Sequence, residues 1–285
     1  MLKNTEKWSV ADIQSFTFVV TQNCNLACKY CYETGKNNKS KMSKELAYKA
    51  ADFLIDKCSS LSSVIIDFIG GEPLLEVDLI DEICDYIKFR LYEEGHHWFG
   101  NYEITLTTNG TLYDRPQVQK FIKKNQNMLA IGISLDGTKE KHDAQRVHID
   151  GTGSYEDVVK NVPLWLSQFP DGGTKLTFSS SDLKYIKDSV IHVHDLGIKY
   201  SIANIVNEDV WEDGDEVIFE EQLKELADYM LQNNLETNYA GGFFNEMIGR
   251  PFDEERLKLN WCNCGENNLA VDNRGFLYPC IRFLP

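Results

Sequence analysis

Three cysteines near the start of the chain, Cys24, Cys28 and Cys31, are separated by three and two residues. This spacing lets one short loop place three thiolates on neighbouring corners of an iron-sulfur cube, which leaves the fourth iron without a protein ligand. At zinc sites a closed coordination shell is structural and an open position is catalytic, and we apply the same rule here by analogy. The loop therefore predicts a 4Fe-4S cluster that binds and acts on a further ligand.

Two other uses of these cysteines are weaker alternatives. A structural zinc site needs four ligands and usually includes histidine, yet no histidine precedes His96. Cys58 and Cys84 could complete such a site, but both fall in apolar stripes of predicted helices, where cysteine behaves as a small core residue. A disulfide framework is disfavoured because the first residues lack a secretory leader and the chain is far larger than scaffolds that need disulfides.

The composition restricts the class of partner. The chain has 285 residues and a net charge of -15, which disfavours a nucleic-acid backbone or an anionic membrane. It fits a small molecule or a neutral to basic peptide. No apolar run approaches the roughly 18 residues of a membrane span, so a cytoplasmic location is expected.

From Ser15 onward, short apolar runs alternate with amphipathic stretches, a pattern typical of βα units and a parallel sheet. The predicted strands lie near residues 15–20, 64–69, 102–108, 129–135, 174–179 and 198–206. The predicted helices lie near residues 43–58, 76–92, 116–124, 155–168, 184–195 and 216–233. We expect an α/β fold: a partial (βα)6 TIM-like barrel in residues 1–235, then a linker and a small, incomplete iron-sulfur module in residues 236–285.

Apolar residues alternate with small or polar ones along the third, fourth and fifth predicted strands. The small or polar set is Glu103, Thr105, Thr107, Asn109, Ala130, Gly132, Ser134, Asp136, Lys175, Thr177 and Ser179. Successive side chains of a strand point to opposite faces, and an ordinary closed barrel is filled by bulky branched residues. The pattern therefore predicts a hydrated interior that a ligand reaches from the carboxyl ends of the strands. The alternative is a two-layer sheet with one solvated face.

The cysteine loop CNLACKYCY and the run Gly70-Gly71-Glu72-Pro73 after the second strand resemble the radical S-adenosylmethionine (SAM) enzymes. TTNG at 107–110 and SLDG at 134–137 extend the resemblance, which covers residues 15 to about 207. It implies that SAM chelates the open iron and that the reduced cluster cleaves SAM to a 5'-deoxyadenosyl radical. It also implies an electron donor such as ferredoxin or flavodoxin.

The resemblance assigns Cys24, Cys28 and Cys31 as cluster ligands and places Tyr30 near the adenine. The glycine pair of the GGEP run would meet the methionine amine, an approach that needs residues without side chains, and Glu72 could oppose its ammonium charge.

Three further polar residues, Asn109, Ser134 and Asp136, are candidates for the ribose hydroxyls or the carboxylate. Arg146 resembles the arginine that pairs with the methionine carboxylate, because guanidinium binds carboxylates bidentately; a surface arginine is the alternative. His142 and His148 are expected to be solvated loop residues.

The segment WCNCGENNLAVDNRGFLYPC resembles the start of a SPASM domain, which houses auxiliary iron-sulfur clusters in maturases of peptides and proteins. An auxiliary 4Fe-4S cluster would draw on Cys262, Cys264 and Cys280, but three thiolates cannot close a four-cysteine site. We therefore expect the chain to be a fragment of a longer enzyme. The apolar runs at 269–271 and 276–279 predict a hairpin with Gly275 in the turn.

The favoured function is a radical SAM maturase that modifies a ribosomal precursor peptide, with a thioether cross-link as the favoured product. One alternative keeps the chemistry and changes the target, as in a sulfatase-maturating enzyme that makes formylglycine. Another alternative is a non-catalytic iron-sulfur electron carrier, in which the GGEP run and the polar interior would have no purpose.

Overall fold

The computed structural model describes residues 13–31, 39–206, 210–235, 239, 243–244, 264 and 267–284. The first six strands are β1 (Ser15–Thr21), β2 (Val64–Gly70), β3 (Tyr102–Thr108), β4 (Leu129–Ile133), β5 (Gly173–Phe178) and β6 (Tyr200–Ile205). Two short strands follow, β7 (Asn268–Val271) and β8 (Leu277–Tyr278). The described strands form one sheet in the order β6-β5-β4-β3-β2-β1-β7-β8.

The helices between these strands are α1 (Lys44–Lys57), α2 (Val77–Glu93), α3 (Pro116–Asn125), α4 (Lys139–Gln145), α5 (Tyr155–Val159), α6 (Val162–Gln168), α7 (Ile186–Asp195) and α8 (Asp215–Gln232). The starts of α1 and α3 follow ordinary capping chemistry. Ser43 caps α1 by accepting a hydrogen bond from Leu46 N, and α3 begins with a proline at its first turn. No described helix is both long enough and apolar enough to span a bilayer.

β1 to β6 are parallel and neighbour one another in chain order, each joined to the next through at least one helix. In β1 to β5, one face of each strand is buried in a continuous core that includes Phe16, Phe68 and Leu106. In β6 only Ala203 joins this core, and Tyr200, Ile202 and Ile205 are exposed. The alternate residues are more accessible, as in β3, where Glu103 and Thr107 are exposed. This open, parallel arrangement confirms the predicted partial barrel, and the predicted hydrated interior stays a prediction.

The C-terminal hairpin is part of the same sheet. β7 runs parallel to β1, with Ser15 opposite Asn268 and Phe18 opposite Val271, and β8 pairs with β7 in the antiparallel sense. Gly275 adopts φ +92° in the turn, a conformation that favours glycine. The predicted hairpin is confirmed, and β1 gains a second neighbour that its local sequence did not indicate.

Two helices differ from the prediction. α4 was not predicted, because the segment KEKHDAQ has no apolar periodicity. Residues 155–168 were predicted as one helix, but α5 and α6 are separate, with Pro163 in the first turn of α6. Proline lacks the backbone N–H that a continuous helix would need at this position.

Candidate active site

The cysteine loop follows β1 and is fixed on one side by the end of β2. Gly71 N donates to Thr21 O at 3.0 Å, and Glu72 N donates to Asn23 O at 2.9 Å. A Cβ atom added at Gly70 would lie 2.2 Å from Thr21 O, and one at Gly71 would lie 2.3 Å from Asn23 O. The two glycines are therefore required where the backbones of β2 and the cysteine loop meet. Their predicted contact with the methionine amine stays a prediction.

The other side of the loop is held by the last residue of α4 and the residues just after it. Ala27 N donates to Val147 O at 2.7 Å, and Lys29 N donates to Gln145 O at 2.9 Å. These residues lie between Cys24 and Cys31, so backbone hydrogen bonds fix the cysteine loop along both of its flanks. Such a frame suits a site whose ligands must keep their relative positions.

Glu72 joins the ends of β2 and β3. Its side chain is 1% exposed, and its carboxylate accepts hydrogen bonds from Leu74 N at 3.0 Å, Thr108 Oγ1 at 2.7 Å and Asn109 N at 2.8 Å. Burial raises the pKa of Glu72, and these hydrogen bonds partly offset the rise. Pro73, also buried, starts the 3-10 turn that follows. Glu72 thus links the backbone after β2 to the end of β3. Its predicted contact with the ammonium group stays a prediction.

Asn109 connects Glu72 to the cysteine loop. Its side-chain amide donates to Asn25 Oδ1 at 2.9 Å, and Asn25 donates to Thr111 Oγ1 at 2.7 Å. The predicted contact of Asn109 with SAM stays a prediction. The hydrogen bond to Asn25, which follows Cys24 in the chain, holds the Asn109 side chain against the cysteine loop. Ser134 lies beside the same strand end, where its buried backbone N donates to Thr108 O at 2.9 Å.

The donor chemistry of the loop fits an iron-sulfur cluster. Cys24 is buried and its sulfur accepts a hydrogen bond from Leu26 N at 3.4 Å, and hydrogen bonds to sulfur tune such clusters. Cys28 and Cys31 are half-buried. Among the described residues, no three His, Cys, Asp or Glu side chains are grouped as they would be around one metal ion. Thiolates of a cube bind different irons, so the assignment rests on donor type and spacing.

The predicted auxiliary site is only partly described. Cys262 lies outside the described residues, whereas Cys264 and Cys280 are half-buried. The auxiliary cluster and the domain boundary near residue 236 stay predictions.

Asp136, Arg146 and Tyr30 form one cluster beside the cysteine loop, in which Asp136 is fully buried and the other two are half-buried. Arg146 Nε lies 3.0 Å from Asp136 Oδ2, and the arginine side chain is only 12% exposed, so Arg146 is not a surface residue. Tyr30 donates its hydroxyl to the same oxygen at 2.5 Å. Burial alone would raise the pKa of Asp136, but Arg146 and Lys141 outweigh it and hold the pKa well below its usual range. The carboxylate therefore stays ionised.

Lys141 and Asp182 extend this cluster, and neither was predicted. Lys141 has a fully buried side chain whose Nζ lies 3.4 Å from Asp136 Oδ2 and 3.4 Å from Asp182 Oδ2. It also donates to Thr177 O. Gln145 donates to Asp182 Oδ2 at 3.0 Å. A lysine in a charged segment is usually exposed, so only the position of Lys141 five residues before Arg146 could have indicated a role.

His142 was predicted to be solvated, and this is wrong. Its side chain is 0% exposed; Nδ1 lies 3.3 Å from Asp136 N, and Nε2 lies 3.0 Å from Ser154 Oγ. Burial lowers the pKa of His142 to about 4. His148 is half-buried and contacts Asp157 at 3.1 Å. The error arises because α4 was missed, so its inward face was read as loop.

A cavity of about 720 Å³ borders the cysteine loop, within the roughly 300–1,000 Å³ of typical ligand pockets. Its wall includes Tyr30, Cys31, Gln145, Ser179, Asp182 and Val206. It thus joins the cysteine loop to the carboxyl ends of β5 and β6. This is the edge of a parallel sheet at which ligands of α/β proteins bind.

Comparisons with known proteins agree with this geometry. A family model described as the Radical SAM superfamily matches residues 18–178. The antilisterial bacteriocin subtilosin biosynthesis protein AlbA of Bacillus subtilis is 25% identical over 275 residues, covering 94% of this chain and 54% of AlbA. A serine-type anaerobic sulfatase-maturating enzyme of Bacteroides thetaiotaomicron is 26% identical over 288 residues, covering 92% of this chain and 67% of that enzyme.

Among solved structures, native anSMEcpe with bound AdoMet superposes with a TM-score of 0.72 at 20% identity, covering 95% of this chain and 76% of that one. At this identity the likeness concerns the fold. The chain spans 58% and 28% of the length of two further curated relatives that it matches.

Proposed function

The chain belongs to the radical SAM superfamily, and from this membership we propose that it modifies a ribosomally made precursor peptide. Members of this superfamily are enzymes whose cofactors are a 4Fe-4S cluster and SAM. When bound, these cofactors supply a 5'-deoxyadenosyl radical that abstracts a hydrogen atom from the substrate. The chain's own residues must hold the cofactors, shield them from water and admit the peptide.

The observation that carries the proposal of a SAM site is the cavity of about 720 Å³ that borders Cys31 and Tyr30. Cys24, Cys28 and Cys31 would hold the cluster, and the cavity beside them would accept the nucleoside. Arg146 is the group for the methionine carboxylate, because its guanidinium lies close to the loop and is held by Asp136. The half-buried Tyr30 lines the cavity, and Cζ of Arg146 lies 5.3 Å from the centre of its ring.

The peptide substrate is supported by how far the similarity extends. The matches to AlbA and to the sulfatase-maturating enzyme each cover more than nine tenths of this chain, well past residue 178, where the family model ends. Both relatives are named for work on a peptide or a protein. We therefore propose a peptide, with a thioether cross-link as the product, a reductant such as ferredoxin or flavodoxin, and a cytoplasmic location.

Formation of 5'-deoxyadenosine tests the radical chemistry. The chain is reconstituted anaerobically with iron and sulfide, reduced, and mixed with SAM, and 5'-deoxyadenosine is quantified by liquid chromatography. The wild type and the Cys84→Ala variant should both produce it, since Cys84 is a buried core residue of α2. Cys28→Ala should lose both the cluster and the product. A reconstituted wild type that leaves SAM intact would refute the proposal.

Incubation with cysteine-containing candidate precursor peptides separates the two peptide chemistries. A thioether removes two hydrogens from the peptide and leaves a fragmentation pattern that skips the cross-linked segment. Formylglycine introduces an aldehyde that reacts with a hydrazine reagent. The aldehyde would favour the sulfatase-type activity, which the Bacteroides relative supports.

A further inference from the structure

Two linkages join Asp136 and Arg146. The first is their ion pair across 3.0 Å. The second is a chain of hydrogen bonds through His142 and Ser154: Asp136 N lies 3.3 Å from His142 Nδ1, His142 Nε2 lies 3.0 Å from Ser154 Oγ, and Ser154 Oγ lies 2.8 Å from Arg146 O. His142 and Ser154 are both fully buried.

The direction of this chain is determined by its two ends. A backbone N–H can only donate, so His142 Nδ1 accepts from Asp136 and the ring proton lies on Nε2. Nε2–H then donates to Ser154 Oγ, and the serine hydroxyl donates to the carbonyl oxygen of Arg146. Because burial lowers the pKa of His142 to about 4, the ring is neutral near pH 7 and keeps this arrangement.

The chain fixes the backbone on both sides of the ion pair. Arg146 is the C-cap residue of α4, and its N also donates to His142 O at 2.7 Å. Its side chain approaches Asp136 through Nε and Nη2. A guanidinium has five N–H donors in a rigid fork, so a backbone held at this point aims the rest of the fork in one direction.

We propose that His142 and Ser154 are positioning residues that orient Arg146 toward the carboxylate of the methionine part of SAM. This inference rests on the proposed function. It concerns the amino-acid end of the ligand alone, because neither side chain lines the cavity beside Cys31. The nucleoside end should therefore bind equally well whether or not the hydrogen-bond chain is intact.

The test compares SAM with 5'-methylthioadenosine, which keeps the nucleoside thioether but lacks the amino acid. Dissociation constants of both are measured by equilibrium titration of the cluster-reconstituted chain. His142→Leu and Ser154→Ala should weaken SAM about tenfold, the lower end of what loss of an outer hydrogen-bond partner costs at a metal site, and leave 5'-methylthioadenosine unchanged. His142→Gln keeps a donor for Ser154 and should recover most of the SAM affinity.

His192→Leu is the matched control. His192 contacts Tyr155, with Nε2 2.6 Å from the tyrosine hydroxyl, and it takes no part in the chain to Arg146. It should leave both affinities unchanged. Equal weakening of both ligands by Ser154→Ala, or no weakening of SAM by either variant, would overturn the inference. A wild type that binds no SAM would instead refute the proposed function.

Discussion

The hydroxyl of Tyr30 donates a hydrogen bond of 2.5 Å to the carboxylate of Asp136, which links the cysteine loop to the turn that follows β4. Tyr30 lies between Cys28 and Cys31, so the position of the loop and the ion pair of Asp136 with Arg146 depend on each other. Burial raises the pKa of Tyr30 well above its ordinary value, and the phenol therefore remains a donor at any working pH.

We expect Tyr30→Phe to lower the free energy of unfolding by about 1.5–3 kcal/mol, as for a hydrogen bond to a charged group. The carboxylate of Asp136 would lose one donor while it stays buried. Urea unfolding measures the loss. Tyr86→Phe is the control, since its hydroxyl bonds Asp52 at 2.7 Å near the surface and should cost less. An equal cost for both variants would contradict the prediction.

Lys141→Met should destabilise the chain by about 3–5 kcal/mol, because it removes the cation that two buried carboxylates share, even though Asp136 keeps its pair with Arg146. Asp136 and Asp182 each lie 3.4 Å from Lys141 Nζ. Thr177 O would also lose its donor. Lys139→Met, on the exposed side of the same helix, should have little effect, since its ion pairs with Asp143 and Glu156 are at the surface. Denaturant midpoints decide between these expectations.

Gly71→Ala should prevent incorporation of the cluster, because the added Cβ would lie 2.3 Å from Asn23 O and push the cysteine loop away from β2. Gly132→Ala is the control: its Cβ would lie 3.4 Å from Gly173 O, an ordinary contact. Iron content and visible absorption after reconstitution give the readout. A Gly71→Ala chain that binds as much iron as the wild type would show that the loop tolerates displacement.

Asp67 should make the free energy of unfolding depend on pH. It lies on the inner face of β2 between Thr17 and Thr105, whose hydroxyls donate to it at 3.1 Å and 2.7 Å. Burial raises its pKa, and the two hydroxyls partly oppose the rise. Since the folded state then holds the proton more tightly than the unfolded state, the wild type gains stability as the pH falls through the raised pKa toward the unfolded value.

The free energy of unfolding of the wild type should therefore rise relative to that of Asp67→Asn as the pH is lowered from 7 to 4. Thr105→Val removes one donor from the carboxylate, so the pKa of Asp67 should rise further. The difference in unfolding free energy between Thr105→Val and the double variant Thr105→Val/Asp67→Asn should then change more over the same pH range. A difference that is constant with pH would show that the Asp67 pKa is ordinary.

The sequence allowed a prediction of the strands and most helices to within a few residues, because each has its own periodicity. β1 was expected at 15–20 and lies at Ser15–Thr21, and β3 was placed correctly. Lys141, His142 and Asp182 could not be found in this way. Their burial depends on partners far along the chain or on a seven-residue helix without an apolar stripe, and polar residues carry no local sign of burial.

The pairing of β7 with β1 also has no local signal, and it affects the order in which the molecule can be made. The strand leading into Cys24 acquires one neighbour 50 residues later, as in the contact of Thr17 with Asp67, and the other 253 residues later, as in that of Gln14 with Asn267. On the ribosome, the platform for the iron-sulfur centre is thus finished only after residues 268–278 have emerged. Insertion of iron and sulfide should accordingly follow translation of the hairpin.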